Sequence, residues 1–322
     1  MIAKAPLFFD PIYDGPTDPT IIWNHLEKSW WIIYTQRRAS VDARGVSWVH
    51  GTDLGVASST DGGRSFLYRG TLNVEPAEPG RNTFWAPEIL FSDGLYHMYV
   101  SYTTGVPATW DGGRAILHYT SKNLWDWKFE SRLPLPGGRA IDACVHALPE
   151  GGWRLWYKDE SDESHTHAAD SPDLFHWRAI GPQTTDCGQE GPNVFRLGGK
   201  YFLIADMWDG MAVYESADLT RWTRQAGNLL STGGSRPGDN CRGHHADVLA
   251  LPDRAFIFYF VHPGAGVYGY SGEDEIQPTE ARRSVLQVAA LTLRDGQLAC
   301  DRDAAFDFFL PDLSPATESQ PH

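Results

Sequence analysis

Five side chains suited to proton transfer or cation binding stand at the heads of five similar stretches of this chain: Asp18, Glu88, Asp142, Glu190 and His244. Glu190 is the most constrained. It lies in Cys187-Gly-Gln-Glu-Gly-Pro-Asn-Val-Phe195, where Gly191 lets the backbone bend and Pro192 fixes φ and removes an N–H. A carboxylate on a stiff corner at the mouth of a sheet is what an acid/base catalyst needs. It equally serves as a turn-stabilising acceptor, and only its partners decide between the two.

The elements that must hold these residues are short, aromatic-rich strand pairs. They run from Asp18 to Thr35, from Trp85 to Tyr102, from Ile141 to Lys158, from Glu190 to Ala205 and from Gly243 to Phe260. Each pair is joined by a short polar turn: 24–28, 92–94, 149–152, 197–200 and 252–253. In four units a strand, a Ser/Asp-containing turn and an aromatic follow, ending at Phe66, Trp127, Trp177 and Trp222; the fifth gives 285–293 and 294–298. Four strands in each of five units predict an all-β chain, a five-bladed β-propeller with four antiparallel strands per blade, forming a single domain over 1–322. First strands line the central channel of such a ring, so the five heads converge on one mouth. Loops at 39–52, 73–82, 103–113, 231–242 and 262–282 are expected to shape its rim.

Composition agrees. Thirteen Trp, 13 Tyr, 15 Phe, 32 Gly and 21 Pro favour short strands and turns over long helices. A net charge of −14 argues against nucleic acid and disfavours polyanionic ligands. Cys144, Cys187, Cys241 and Cys300 form no CxxC pair and read as buried thiols. No apolar run has the length of a membrane span, and the N-terminal run is too short for a signal peptide, so a cytoplasmic location is expected.

Asp18-Pro19, Trp85-Ala-Pro-Glu88, Ile141-Asp142, Glu190-Gly-Pro192 and Gly243-His244, in this order and at the same place in each repeat, resemble the signatures of glycoside hydrolase family 43. The resemblance covers the whole chain. It implies Asp18 as general base, Glu190 as general acid and Asp142 as the residue that tunes the acid's pKa and orients substrate. The chain departs from the pattern where Ala-Cys follows Asp142 and where the fifth unit reads Arg-Gly-His-His. The chemistry is consistent: inverting hydrolysis takes a protonated acid at the leaving oxygen and a carboxylate about 6.5–9.5 Å away that activates water. A nearby third carboxylate raises the donor's pKa by like-charge repulsion. The family's substrates are neutral α-L-arabinofuranosides, β-xylosides and galactans, with exo action favoured here and no cofactor required. The resemblance also suggests a calcium ion in a water network facing His244 at the channel centre. A polar filler role for His244 weighs equally.

Around the mouth, Trp85, Trp23, Trp110 and Trp208 are candidates to stack on a sugar, Trp85 first among them. Arg37 and Arg38 follow a strand and can bind hydroxyls, a surface salt bridge being expected for one of them. Glu88 is a hydroxyl acceptor or a rim carboxylate, and Lys158 borders the site or a solvated loop. His245 alternates to the other face and reads as structural. Trp30, Trp31, Trp127, Trp153, Trp156, Trp177 and Trp222 read as core. His165 and His167 lack a third ligand nearby and do not read as a metal site. Ser59-Thr-Asp-Gly-Gly-Arg-Ser-Phe66 resembles the Asp-box turn of sialidases, which leaves a sialidase-like hydrolase and a non-catalytic carbohydrate-binding propeller as the alternatives.

Overall fold

A computed structural model describes residues 3–268 and 277–314. The centre of the 262–282 loop and both ends of the chain lie outside the described residues. Blade 1 consists of β1 (Pro16–Asn24), β2 (Ser29–Gln36), β3 (Asp53–Ser59) and β4 (Leu67–Thr71). A two-residue strand, β5 (Asn73–Val74), then pairs in parallel with the outer strand of the next blade. Blade 2 is β6 (Thr83–Ser92), β7 (Leu95–Thr103), β8 (Ala115–Ser121) and β9 (Asp126–Arg132). Blade 3 is β10 (Ala140–Ala147), β11 (Trp153–Asp159), β12 (His165–Ser171) and β13 (Arg178–Thr184). Blade 4 is β14 (Glu190–Leu197), β15 (Lys200–Asp206), β16 (Met211–Ser216) and β17 (Thr223–Arg224). Blade 5 is β18 (His244–Ala250), β19 (Ala255–Val261), β20 (Val285–Arg294) and β21 (Gln297–Cys300). Two four-residue helices, α1 (Ala265–Tyr268) and α2 (Thr279–Arg282), lie between β19 and β20. The strands within each blade run in sequence order from the channel outward. No helix among the described residues is long and apolar enough to cross a membrane.

The core is divided among the blade interfaces. One apolar cluster joins blades 1 and 2 through Trp31, Ile33, Ile89 and Met98, and four more bridge the other adjacent pairs. The ring closes without a shared strand. Leu7 and Phe8 bond Leu286 of blade 5, while the segment around Phe308 and Leu310 packs on blade 1 and accepts the Trp30 indole N–H at Pro311 O. The segment before β1 therefore fastens blade 5, and the segment after β21 fastens blade 1. Trp30, Trp31, Trp127, Trp156 and Trp177 are buried as expected, with Trp153 and Trp222 half-buried against the same clusters. Trp23 joins them and is not a site residue.

The Ser/Asp turn is a repeated device. Asn123, Asp173 and Asp218 each accept two backbone N–H groups two and three residues ahead, and Ser121, Ser171 and Ser216 each accept another. Such Asx and Ser turns need no long-range contact. The Leu that follows the acid or amide takes φ of 64°, 67° and 63° at 124, 174 and 219, and each is buried. The Asp-box-like turn is wider, Asp61 accepting the Ser65 N–H four residues ahead and Ser59 the Gly63 N–H, and it sits between β3 and β4, outside the cavity described below.

Candidate active site

The innermost strands share one irregularity. In each, two residues oppose a single residue of the second strand: 18–19 face Tyr34, 86–87 face Val100, 142–143 face Tyr157, 191–192 face Ala205 and 245–246 face Tyr259. This is a β-bulge, which bends the strand and re-aims a side chain. Proline is tolerated at such positions because its missing N–H costs no ladder bond, which accounts for Pro19, Pro87 and Pro192. The first bulge residue has positive φ in four blades: Asp18 48°, Ala86 44°, Asp142 60° and Gly191 56°. For Asp this region is tolerated but uncommon, and such strain collects at functional sites.

The bulges sort the five head residues onto different levels. Immediately before the bulge stand Thr17, Trp85, Ile141, Glu190 and His244; at its first position stand Asp18, Ala86, Asp142, Gly191 and His245; immediately after it stand Thr20, Glu88, Cys144, Asn193 and Asp247. Glu88 is therefore not a mouth residue. It lies outside the residues that line the cavity, and its Oε1 accepts the Val145 N–H at 2.7 Å. Burial, with Asp247 second, holds its pKa well above the carboxylate range. Asp247 does the same work for Ile21 N–H at 2.8 Å, and the Cys144 sulfur accepts Val194 N–H at 3.2 Å. This level stitches one blade to the next.

The first two levels open into a cavity of about 550 Å³. Asp18, Arg37, Trp85, Asp142, Glu190 and His244 all line it. So do Lys158, Trp110, Trp208 and His245. Loops 39–52, 103–113, 231–242 and 262–282 reach it, whereas 73–82 does not, its first residues being committed to β5. Trp85, His50 and Trp110 form an aromatic wall with ring centres 4.9–6.3 Å apart. Trp85 Nε1 donates to Val49 O, and Arg114 lies over the Trp85 ring while holding Trp110 O.

Asp18 is 4% exposed. It accepts a bond from Thr17 Oγ1 at 3.0 Å and lies 3.6 Å from both Arg37 and His245. Arg38 turns away and holds the 39–52 loop through the carbonyls of Ser47 and His50. Asp142 is 5% exposed; Ser101 Oγ accepts its N–H, and its Oδ2 accepts the Gly191 N–H at 3.2 Å. Burial raises the Asp142 pKa to about 6; Glu190 and Asp18 add to the rise, while His245 and Lys158 oppose it. Glu190 bonds Lys158 Nζ through Oε2 at 3.0 Å. Lys158 is buried, and Glu190, Asp142 and Glu160 outweigh that burial to keep it firmly charged.

Of the histidine pair, His245 is the one set among the carboxylates. Burial opposes its charge, but Asp142, Asp18, Glu190 and Asp206 together raise its pKa. The structural role expected for His245 is thus corrected: the bulge breaks the simple alternation on which that expectation rested. His244 bonds Asp206 through Nδ1 at 3.0 Å and stacks on Phe260. Among the described residues no group of three or more His, Cys, Asp or Glu is arranged to hold a metal ion. Calcium takes six to eight oxygen ligands, so His244 would face such an ion through water, as expected of it, and not ligate it. His167 bonds Asp162. All four cysteines are free thiols, but only Cys144 is fully buried.

Of the two places the sequence allowed for Lys158 the cavity border is the one observed, and His245 carries weight that its expected structural role did not give it. Lys158 stands opposite Ile141 in the register, the residue before the Asp142 bulge, and that pairing was the available signal.

No family model matches the chain, and no curated protein matches it. Solved structures do. A thermostable family-43 glycoside hydrolase is 18% identical over 94% of this chain and 99% of that one, with a TM-score of 0.64. The GH43_1 enzyme from Xanthomonas citri is 17% identical over 98% and 97%, with a TM-score of 0.66. An exo-1,5-α-L-arabinanase from a bovine ruminal metagenomic library is 17% identical over 92% and 100%, with a TM-score of 0.62. What is shared at such identities is the backbone: the chain is built on the fold of those family-43 glycoside hydrolases.

Proposed function

We propose that the protein is a glycosidase that hydrolyses a neutral oligosaccharide with inversion, Asp18 acting as general base, Glu190 as general acid and Asp142 as the residue that orients substrate and tunes the acid. The observation that carries this reading is the convergence of Asp18, Asp142 and Glu190, from three blades, on one cavity with an aromatic wall. In this reading Asp18 takes a proton from water as it attacks the anomeric carbon, and Glu190 gives one to the departing oxygen. Lys158 engages Oε2 of Glu190, so Oε1 is the oxygen that carries the proton to the substrate. Arg37 and His245 hold Asp18 in place. Trp85 offers an apolar face to the glycone, and His244 and Arg37 offer hydroxyl partners. An exo-acting arabinofuranosidase or xylosidase is the specific form we propose.

Charge within the cavity supports a neutral substrate. Each cation lining it has a carboxylate beside it: Arg37 with Asp18, Arg139 and Lys158 with Glu160, Lys158 with Glu190, Arg242 with Asp209. Among the described lining residues no arginine cluster is left to bind a substrate carboxylate, which counts against a sialidase-like activity. The Lys158–Glu190 bond favours one rival, a carbohydrate-binding propeller in which Glu190 is only an acceptor. Hydrolysis of a panel of furanosides and pyranosides by wild type, Asp18→Asn and Glu190→Gln separates the two. Variants as active as wild type would remove the catalytic assignment, and a retained anomer in the first product seen by NMR would remove inversion.

A further inference from the structure

Trp208 is the one exposed tryptophan of thirteen, at 43% of its surface. It is also the one with positive φ, 59°, a conformation that a bulky residue adopts only when its surroundings impose it. Those surroundings are built. Its N–H donates to Asp206 Oδ1 at 2.7 Å, and its carbonyl accepts a bond from Arg242. Asp206 is fully buried and also receives His244 Nδ1 and His245 N–H, so the backbone that carries the indole is tied to two residues that line the cavity. Lys158 Nζ lies 5.2 Å from the centre of the indole ring and 3.0 Å from Glu190 Oε2. The ring centre is therefore no further from the Glu190 carboxylate than those two distances together. A cation over one part of an aromatic ring fixes the ring's orientation. An exposed apolar ring held this firmly at a cavity rim is a contact surface.

We propose that Trp208, with Lys158 against it, forms the subsite for the leaving-group sugar, so that the substrate is a disaccharide or longer with a saccharide on the departing side. This rests on Glu190 being the proton donor: the ring beside the donor meets the group that receives the proton. The glycone then occupies the opposite part of the cavity, against Trp85 and Trp110. Trp208 is a specificity-determining residue that takes no part in bond making.

The test compares Trp208→Ala and Trp208→Phe with wild type on xylo- and arabino-oligosaccharides and on the corresponding glycosyl fluorides, whose leaving group has no ring. The expected result is a fall in kcat/KM for the oligosaccharide at least ten-fold larger than for the fluoride in Trp208→Ala, mostly restored in Trp208→Phe. Equal losses on both substrates, or none, overturn the subsite. Binding of the same oligosaccharides to Asp18→Asn, with and without Trp208→Ala, is followed by calorimetry. Weaker binding on loss of Trp208, where the wild-type protein hydrolyses nothing, would keep Trp208 as a saccharide contact and discard both the glycosidase reading and the leaving-group role. No binding of any oligosaccharide would discard both.

Discussion

Lys158 Nζ donates to Glu190 Oε2 at 3.0 Å, and the lysine is 5% exposed. A buried ammonium bonded to a carboxylate is a strong positioning contact. It selects which oxygen of Glu190 faces the substrate. Removing one partner of a buried pair also leaves the other charge uncompensated. Lys158→Met is therefore expected to lower kcat by about ten- to a hundred-fold while KM changes little, the pattern of an interaction that matters in the transition state. Lys158→Arg keeps the charge and is expected to recover part of the loss. Steady-state kinetics on one oligosaccharide decides it; a rise in KM alone would mean that Lys158 binds substrate instead.

Asp18 and Glu190 line the same cavity but are proposed for different proton transfers. Loss of a general acid or base costs on the order of 10²–10⁴ in rate. Both Asp18→Asn and Glu190→Gln should fall in that range on oligosaccharides. They should separate on glycosyl fluorides, which need no protonated leaving group. Glu190→Gln is expected to recover most of its activity there and Asp18→Asn none. Equal recovery would mean that the roles are misassigned.

The Asp142 carboxyl titrates near 6, chiefly because it is buried. If its ionised form is the active one, kcat/KM falls as pH drops through about 6. Asp142→Asn should be slow and lack that limb. The neighbours that set its position are His245, Glu190, Lys158 and Asp18, so the measured value belongs to the cluster. For stability the sign is the reverse. The folded pKa exceeds the ordinary 3.8, so this contribution is full below 3.8 and is lost as pH rises through 6.

Buried histidines act in the opposite direction. Burial lowers His50 to about 4 and both His118 and His262 to about 3, from an ordinary 6.5. Between those values and 6.5 the unfolded chain binds more protons, so the stability they contribute above 6.5 is lost as pH falls. His97 and His146 shift the same way, while Glu88, Asp239 and Asp247 are raised like Asp142 and act against them. The wild-type slope is a difference of the two sets, so the test is a variant: His118→Gln should lose less of its urea midpoint between pH 6.5 and pH 4 than wild type does. An unchanged loss would mean that burial does not hold His118 neutral.

Much of this fold is legible in the sequence. The blades could be read because Asn123, Asp173 and Asp218 repeat a local turn, and turns depend on neighbours in sequence. The cavity residues Asp18, Asp142 and Glu190 could be read because each stands within the first three residues of an inner strand. The levels could not, because a bulge changes register by one residue and period-2 alternation does not report it. Alignment on Pro19, Pro87 and Pro192 would have placed Ala86 beside Asp18 and moved Glu88 down the channel. Blades 3 and 5 carry Ala143 and Ala246 where the others have proline, so no such marker places His245 with Asp142. The contact of Trp208 with Lys158 joins the ends of strands in different blades, which no local pattern encodes.

Gly191 tests the bulge directly. Its φ is 56°, and a Cβ there would lie 2.6 Å from the His245 ring. The ring lies 3.6 Å from Asp18 and within the field of Asp142 and Glu190, which restrain where it can move. Gly191→Ala thus combines an unfavourable backbone angle with a steric contact on the central histidine, each worth about 1–3 kcal/mol. Neighbouring Glu190 and the Asp142 bond to the Gly191 N–H would shift with it. The expected outcome is a folded protein with a lower urea midpoint and a loss of activity larger than its loss of stability explains. Gly181→Ala is the control, since it shares positive φ, 93°, but has open space at the Cβ. It should cost stability and leave kcat/KM within about two-fold, a change of about 0.4 kcal/mol. Equal effects of the two substitutions on activity would show that the packing of His245 on Gly191 has no part in shaping the site.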